Sequence, residues 1–186
     1  MKTSYLCNAI VLVLLCPIAT AQWVQTNGPN GGDIRCFAVA PAAGDSGRTL
    51  LAGTYSSGVF RSSDGGTRWS AANAGLTCHC VNALLAGSSD GASGSTLFAG
   101  TSRGIFRSTD RGKTWSGTRS ESADPDVRSL VPFGTSLFAG TWGGGILRST
   151  DNGETWTDAG LAGACITSFA VRGKTLFAGR LGLGGG

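Results

Sequence analysis

Residues 96–115 read TLFAGTSRGIFRSTDRGKTW, and the stretch has two companions. Thr49 to Trp69 reads TLLAGTYSSGVFRSSDGGTRW, and Ser136 to Trp156 reads SLFAGTWGGGILRSTDNGETW. A fourth copy opens at Thr175 with TLFAGR and runs into a glycine tail. The glycine of the AG pair falls at Gly53, Gly100, Gly140 and Gly179, so successive copies lie 47, 40 and 39 residues apart. Repeats of this length are supersecondary units that bury their apolar faces against neighbours instead of folding alone.

Alternation and glycine punctuation divide each unit into four short strands. The first is Ile34 to Val39, with counterparts Val81 to Leu85, Val127 to Val131 and Ile166 to Val171. The second is the TLFAG segment. The third runs through Gly58 to Arg61, Gly104 to Arg107 and Gly145 to Arg148, and the fourth opens at Trp69, Trp115 and Trp156. No stretch between residues 22 and 186 carries a helical period, so the class is all-β. A unit of four short strands in about 40 residues is the size of one propeller blade. The chain reads as a truncated β-propeller of about three and a half blades: repeats at about 34–75, 80–118 and 126–160, then a half unit at 165–186. Gln22-Trp23-Val24 aligns with Arg68-Trp69-Ser70, a fourth strand without its blade, of the kind that closes a ring.

Between the third and fourth strands stand Ser62-Ser63-Asp64-Gly65-Gly66-Thr67-Arg68-Trp69, Ser108-Thr109-Asp110-Arg111-Gly112-Lys113-Thr114-Trp115 and Ser149-Thr150-Asp151-Asn152-Gly153-Glu154-Thr155-Trp156. These match the Asp-box pattern. Its carboxylate and hydroxyl are suited to free N–H groups of a tight hairpin, Gly66, Gly112 and Gly153 to positive φ, and the Trp to packing the turn down. The repeats resemble the Asp-box propellers, a group that includes sialidases, xyloglucan-active glycoside hydrolases, sortilin-type receptors and photosystem II assembly factors of the Ycf48/HCF136-like type. The combination of LFAGT, GVFRSTD and GxTW is most similar to secreted bacterial proteins grouped with the last of these. The resemblance implies that the Asp box is a structural turn on the rim, away from the ligand face.

Residues 1–21 carry Lys2, an apolar run from Tyr5 to Ile18 broken by Asn8 and Pro17, and then Ala19-Thr20-Ala21. Small residues at the first and third positions before a cut fit signal peptidase, so 1–21 reads as a signal peptide and 22–186 as the propeller, secreted or periplasmic. The run is too short for a membrane span, and no transmembrane anchor is expected. Cys16 raises lipidation, which the bulky Leu15 before it disfavours. The remaining chain has 14 Lys plus Arg against 11 Asp plus Glu, dispersed without an aromatic stripe, which argues against nucleic acid as a partner. Cys36, Cys78, Cys80 and Cys165 also remain. Cys36 stands where other repeats have Ala83, Ser129 and Ser168 and is expected to be a small buried residue, while Cys80 pairing with Cys78 or with Cys165 stays open. Cys78-His79-Cys80 lacks the four ligands of a structural zinc site, so neither metal nor cofactor is expected.

Turns after the second and fourth strands gather on one face near the propeller axis, and loops on such a scaffold are where ligands are expected. That face would hold Asn27 to Asp33, Tyr55, Cys78 to Cys80, Arg103, Ser120 to Asp126 and Trp142. Tyr55, His79, Arg103 and Trp142 are the ligand-face candidates. Each also reads as an ordinary exposed loop residue. Arg61, Arg107 and Arg148 invite comparison with an arginine cluster for a carboxylate, but their repetition before every Asp box makes them structural. Asp64, Asp110 and Asp151 are turn residues for the same reason. No catalytic residue emerges: resemblance to sialidases implies a Tyr–Glu pair and an acid Asp, whereas only Tyr55, Glu121 and Glu154 remain. Xyloglucan-active relatives place a catalytic Asp where this chain has Tyr55, Ser102 and Trp142. The leading expectation is a non-catalytic binding or assembly scaffold for a protein or glycan. The alternatives are a glycoside hydrolase with its catalytic residues in missing blades and a cell-surface adhesin module. Open sheet edges further predict self-association.

Overall fold

Short turns and small apolar strands give the chain a succession of antiparallel sheets, seen in a computed structural model that describes residues 28–29, 33–40, 48–87, 96–123 and 125–182. The proposed signal, 1–21, and the strand at Trp23 lie outside the described residues. Blade A consists of β1 (Ile34–Ala40), β2 (Thr49–Thr54), β3 (Val59–Ser62) and β4 (Ser70–Ala71), hydrogen-bonded in that order. Blade B repeats the order with β5 (Val81–Ala86), β6 (Leu97–Thr101), β7 (Gly104–Ser108) and β8 (Ser116–Gly117). Blade C has β10 (Val127–Phe133), β11 (Ser136–Thr141), β12 (Ile146–Ser149) and β13 (Thr155–Asp158). The fourth unit is a two-stranded sheet of β14 (Cys165–Arg172) and β15 (Thr175–Leu181). Strand identities thus follow the sequence reading closely.

Three details depart from it. The fourth strands of blades A and B begin at Ser70 and Ser116, one residue beyond the tryptophan, because in blade B the Trp115 N–H is drawn out of its own sheet to Ala74 O at 2.8 Å. Blade C gains a fifth strand, β9 (Arg119–Ser120), which pairs in parallel with β13 on its outer edge. Its two-residue length and lack of repeat leave no periodic signal. The cysteines whose pairing was open are free thiols, as is Cys36. Cys36 pairs with Gly53 just as Ala83 pairs with Gly100 and Ser129 with Gly140, so its place in the repeat is as expected. Burial pushes its thiol up to about 12.

A single four-stranded sheet has no interior of its own, and the apolar core therefore lies in the seams between blades. At the A–B seam Leu51, Val59, Val81, Leu97, Phe106 and Trp115 cluster; at the B–C seam Phe98, Ile105, Val127, Leu137, Leu147 and Trp156 do so. Burying each of these large side chains contributes about 1.5–3 kcal/mol. Close approach near the first strands explains the AG glycines: a Cβ on Gly53 would lie 2.7 Å from Val81 Cγ1, and one on Gly100 2.5 Å from Val127 Cγ1. Both valines are fully buried.

The Asp boxes contribute to the same seams. Gly112 (φ +77) leaves a notch whose nearest atom is Leu51 Cδ2 of the preceding blade, and Gly153 (φ +78) leaves one filled by the Phe98 ring. Trp156 meets Phe98 edge-on, ring centroids 6.4 Å apart, and Trp115 Nε1 donates to Ala72 O of blade A at 2.9 Å. The expectation that the tryptophan packs its own turn holds for Trp69, whose Nε1 donates to Gly66 O at 3.0 Å. In boxes B and C the tryptophan instead fastens its blade to the one before.

Candidate functional site

Each first strand carries a bulge at one repeated place. The register skips between Ile34 and Cys36, Val81 and Ala83, Val127 and Ser129, and Ile166 and Ser168. Arg35, Asn82, Arg128 and Thr167 are the residues left out of the ladder, and a bulge is a device that re-aims a side chain. In blades A and C the bulge places an arginine over the aromatic residue of the following turn. The Arg35 guanidinium lies 4.7 Å from the Tyr55 ring centroid, and that of Arg128 4.9 Å from the Trp142 ring. Such pairs contribute about 0.5–1 kcal/mol at exposed sites.

The turns that hold these rings are pinned at both ends. Thr54 Oγ1 donates to Gly58 O and Thr141 Oγ1 to Gly145 O, each at 2.9 Å. Tyr55 N–H donates to Asp33 O at 2.9 Å and Trp142 N–H to Asp126 O at 2.8 Å. Both rings nevertheless remain about half exposed, Tyr55 at 52% and Trp142 at 45%. Rigid, exposed aromatic surface flanked by a cation is the kind of feature that binds ligands at low entropic cost. The Asp126 carboxylate is already engaged, accepting from Arg128 Nη2 at 2.6 Å and from Asn82 Nδ2 at 3.2 Å.

Tyr55 and Trp142 thus occupy matched places two blades apart, and Ser102 holds the place between them. Sequence reasoning singled out both aromatics but missed Arg35 and Arg128. The repeated D-x-R at Asp33 to Arg35 and Asp126 to Arg128 was the signal that could have found them. Arg103 is exposed one residue beyond Ser102 and lines a separate cavity of about 420 Å³ with Thr118, Ser120 and Pro125. His79 is exposed, and the fold uses its carbonyl, which accepts from Gly58 N–H at 3.0 Å as Pro125 O does from Gly104. Next to it, Cys78 Sγ lies 3.3 Å from Ser102 Oγ. Burial raises that thiol's pKa, but contacts led by the Ser102 hydroxyl outweigh it and the net shift is downward.

At the other end of the third strand, each Asp box is a saturated turn. Asp110 accepts from the Ser108 hydroxyl at 2.8 Å, from the Lys113 and Thr114 N–H groups at 2.9 Å, and from the Thr114 hydroxyl at 2.6 Å. Asp151 repeats the set with Ser149, Glu154 and Thr155. Slight burial opposes ionisation of both, yet these donors, led by Thr114 and Thr155, hold the carboxyls down to about 2. In box A the Thr and the basic residue have exchanged places. Asp64 therefore takes the Arg68 N–H and the Ser62 hydroxyl, and these bonds lower its pKa with no threonine hydroxyl taking part. The stabilisation from Asp110 and Asp151 is complete above the ordinary carboxylate pKa and is lost as pH falls through the native value near 2. We expect Asp110→Asn to flatten the decline of the melting temperature between about pH 4 and pH 2, and Asp110→Ala to cost about 1–2 kcal/mol at neutral pH. An unchanged acid limb in the Asn variant would contradict the turn role.

Blade-like sheets whose third and fourth strands are linked by Asp-box turns make the fold that of a β-propeller. The BNR/Asp-box repeat family matches residues 106–116 and 147–158, the turns of blades B and C. A search of curated proteins found no match. Among solved structures, the chain is similar to an ancestral GH74 enzyme (TM-score 0.60, 20% identity), covering 79% of this chain and 22% of that one. It is also similar to the computationally designed Ika4 protein (TM-score 0.58, 12% identity, 87% and 92% covered). A third is YCF48 from Cyanidioschyzon merolae (TM-score 0.52, 15% identity, 76% and 47% covered). The chain spans less than half of the GH74 and YCF48 chains, and at these identities the likeness establishes the fold.

Proposed function

We propose that the protein is a non-catalytic, exported binding propeller, a scaffold whose glycan or protein ligand lies across Tyr55 and Trp142. The pair of arginine-backed aromatic rings at matched places two blades apart carries this reading. Isolated exposed aromatics need no explanation, but two that are fixed by bulge arginines and doubly pinned turns are preorganised. The carboxylate of Asp126, beside Trp142, is held by Arg128 and Asn82 and is poorly placed to give or take a proton.

Screening the protein against a panel of soluble polysaccharides and a displayed peptide library tests the reading. Binding of the best probe should weaken roughly tenfold or more in Tyr55→Ala/Trp142→Ala with melting little changed, since hot-spot aromatics each contribute 1 kcal/mol or more. Undiminished binding in that variant would overturn it. The likeness to GH74 enzymes supports a second reading, glycoside hydrolysis, which needs two carboxyl groups beside the bond to be broken. Release of reducing ends from xyloglucan would favour it over a scaffold.

A further inference from the structure

The arginines before the Asp boxes sit on the sheet face that looks towards the next blade. Arg61 pairs across the sheet with Leu51, and Arg107 with Phe98, and directly opposed residues share a face. Leu51 and Phe98 fill the next blade's glycine notch, so Arg61 and Arg107 are aimed at that blade's Asp box. At the B–C seam this produces a charge pair: Arg107 Nη1 stands 3.7 Å from Glu154 Oε1. At the A–B seam the residue in the place of Glu154 is Lys113. The repulsive substitute is not relieved elsewhere in the box. Arg61 lines a cavity of about 320 Å³ together with Thr109, Asp110, Arg111 and Lys113.

Three cations therefore share this cavity with one carboxylate, and that carboxylate is directed into its own turn by the four hydrogen bonds described above. Arg61 Nε is buried and has no hydrogen-bond partner, as is also true of Arg107 Nε, so what sets the A–B seam apart is its charges, with no carboxylate where the other seam has Glu154. A buried guanidinium N–H without an acceptor is costly, and like charges gathered beside it add to the cost. Arg111 holds φ +64 at a place where the other boxes have Gly65 and Asn152, residue types that accept this conformation most easily. An arginine held there, a lysine in place of a glutamate and the Arg61 guanidinium together present three cations to one cavity.

We propose that the A–B seam is a binding site for a tetrahedral oxyanion, a phosphate or sulfate group, held by Arg61, Arg111 and Lys113. It is separate from the Tyr55–Trp142 face, because Tyr55 and the Asp-box turn lie at opposite ends of β3. The fork of a guanidinium suits two oxygens of such a group, and Lys113 adds a mobile third donor. The cavity is larger than one oxyanion and leaves room for the sugar or peptide that carries it.

Calorimetric titration and thermal shift with inorganic phosphate and with sulfate, against chloride at equal ionic strength, test the site. A melting rise specific to the oxyanions is expected. The dissociation constant should increase at least tenfold in Lys113→Glu, which installs the pairing found at the B–C seam and so leaves the turn intact, and also in Arg61→Ala. A phosphoserine peptide and a sulfated oligosaccharide then distinguish the two sources of the group. Equal responses to chloride and oxyanion, or binding undiminished in both Lys113→Glu and Arg61→Ala, would overturn the proposal.

Discussion

Replacing Trp156 by alanine should lower the unfolding free energy by about 3–5 kcal/mol, enough to leave a domain of ordinary stability largely unfolded under mild denaturant. The side chain is 1% exposed and lies in the B–C seam, edge-on to Phe98. Its loss would empty the space on which Phe98, Val127 and Leu147 converge. The conservative change discriminates between packing and polar roles. Trp156 Nε1 is buried without a hydrogen-bond partner, whereas the equivalent nitrogen of Trp115 donates to Ala72 O. Trp156→Phe should therefore cost less than half as much as Trp156→Ala, because it removes an unsatisfied donor while keeping a ring. Trp115→Phe forfeits a made bond. Urea unfolding followed by circular dichroism measures all three, and an Ala variant with an unchanged midpoint would show that the seam does not hold the fold together.

The second large effect concerns association. At one end of the row of blades, Phe37 is 62% and Val39 48% exposed; at the other, Phe177 is 52%, Val171 48% and Leu181 43% exposed. Phe177 is the repeat counterpart of Phe98, the residue that elsewhere fills an Asp-box notch, so the two ends carry complementary halves of a seam. Val171 pairs with Leu176 and so looks away from the face that Phe177 shares with Leu181, and it is that second face which continues the series of seams. We expect the 186-residue chain to run as a species of two or more copies in size-exclusion chromatography with light scattering, and Phe177→Asp to shift it towards the single chain. Hydrogen exchange should show protection greatest in blades B and C and least in β14 and β15. A monodisperse single chain with uniform protection at high concentration would refute this.

Strand order, blade size and the Asp-box turns were legible because they depend on local chemistry that recurs. Ser108, Asp110, Gly112 and Thr114 bond to one another within a few residues, and three copies of one local pattern reinforce each other. What joins the blades was less legible. Trp115 reaches Ala72 across 43 residues, and no spacing within a single repeat predicts that its indole serves the previous blade. The cation–π pairs escaped notice for a related reason. Arg35 meets Tyr55 only because a bulge takes it out of the ladder, and alternation read along β1 treats it as one more outward residue. Lys113 illustrates a third case: it passes as a harmless variant of Glu154 until the seam shows Arg61 opposite.

The notches opened by Gly112 and Gly153 have a bearing on how such a chain can be rearranged. Leu51 enters one and Phe98, a bulkier ring, enters the other, so each blade's second strand is matched in size to the Asp box that follows it. Cutting and rejoining the gene between blades would separate these partners and set a ring against a notch shaped for a leucine. Leu51 and Gly112 stand 61 residues apart and Phe98 and Gly153 55, more than the 47-, 40- and 39-residue spacings of the repeats, so no segment of one repeat's length holds a lock together with its key. The segment that can be exchanged with its seam intact is accordingly longer than the unit that the eye picks out of the repeat.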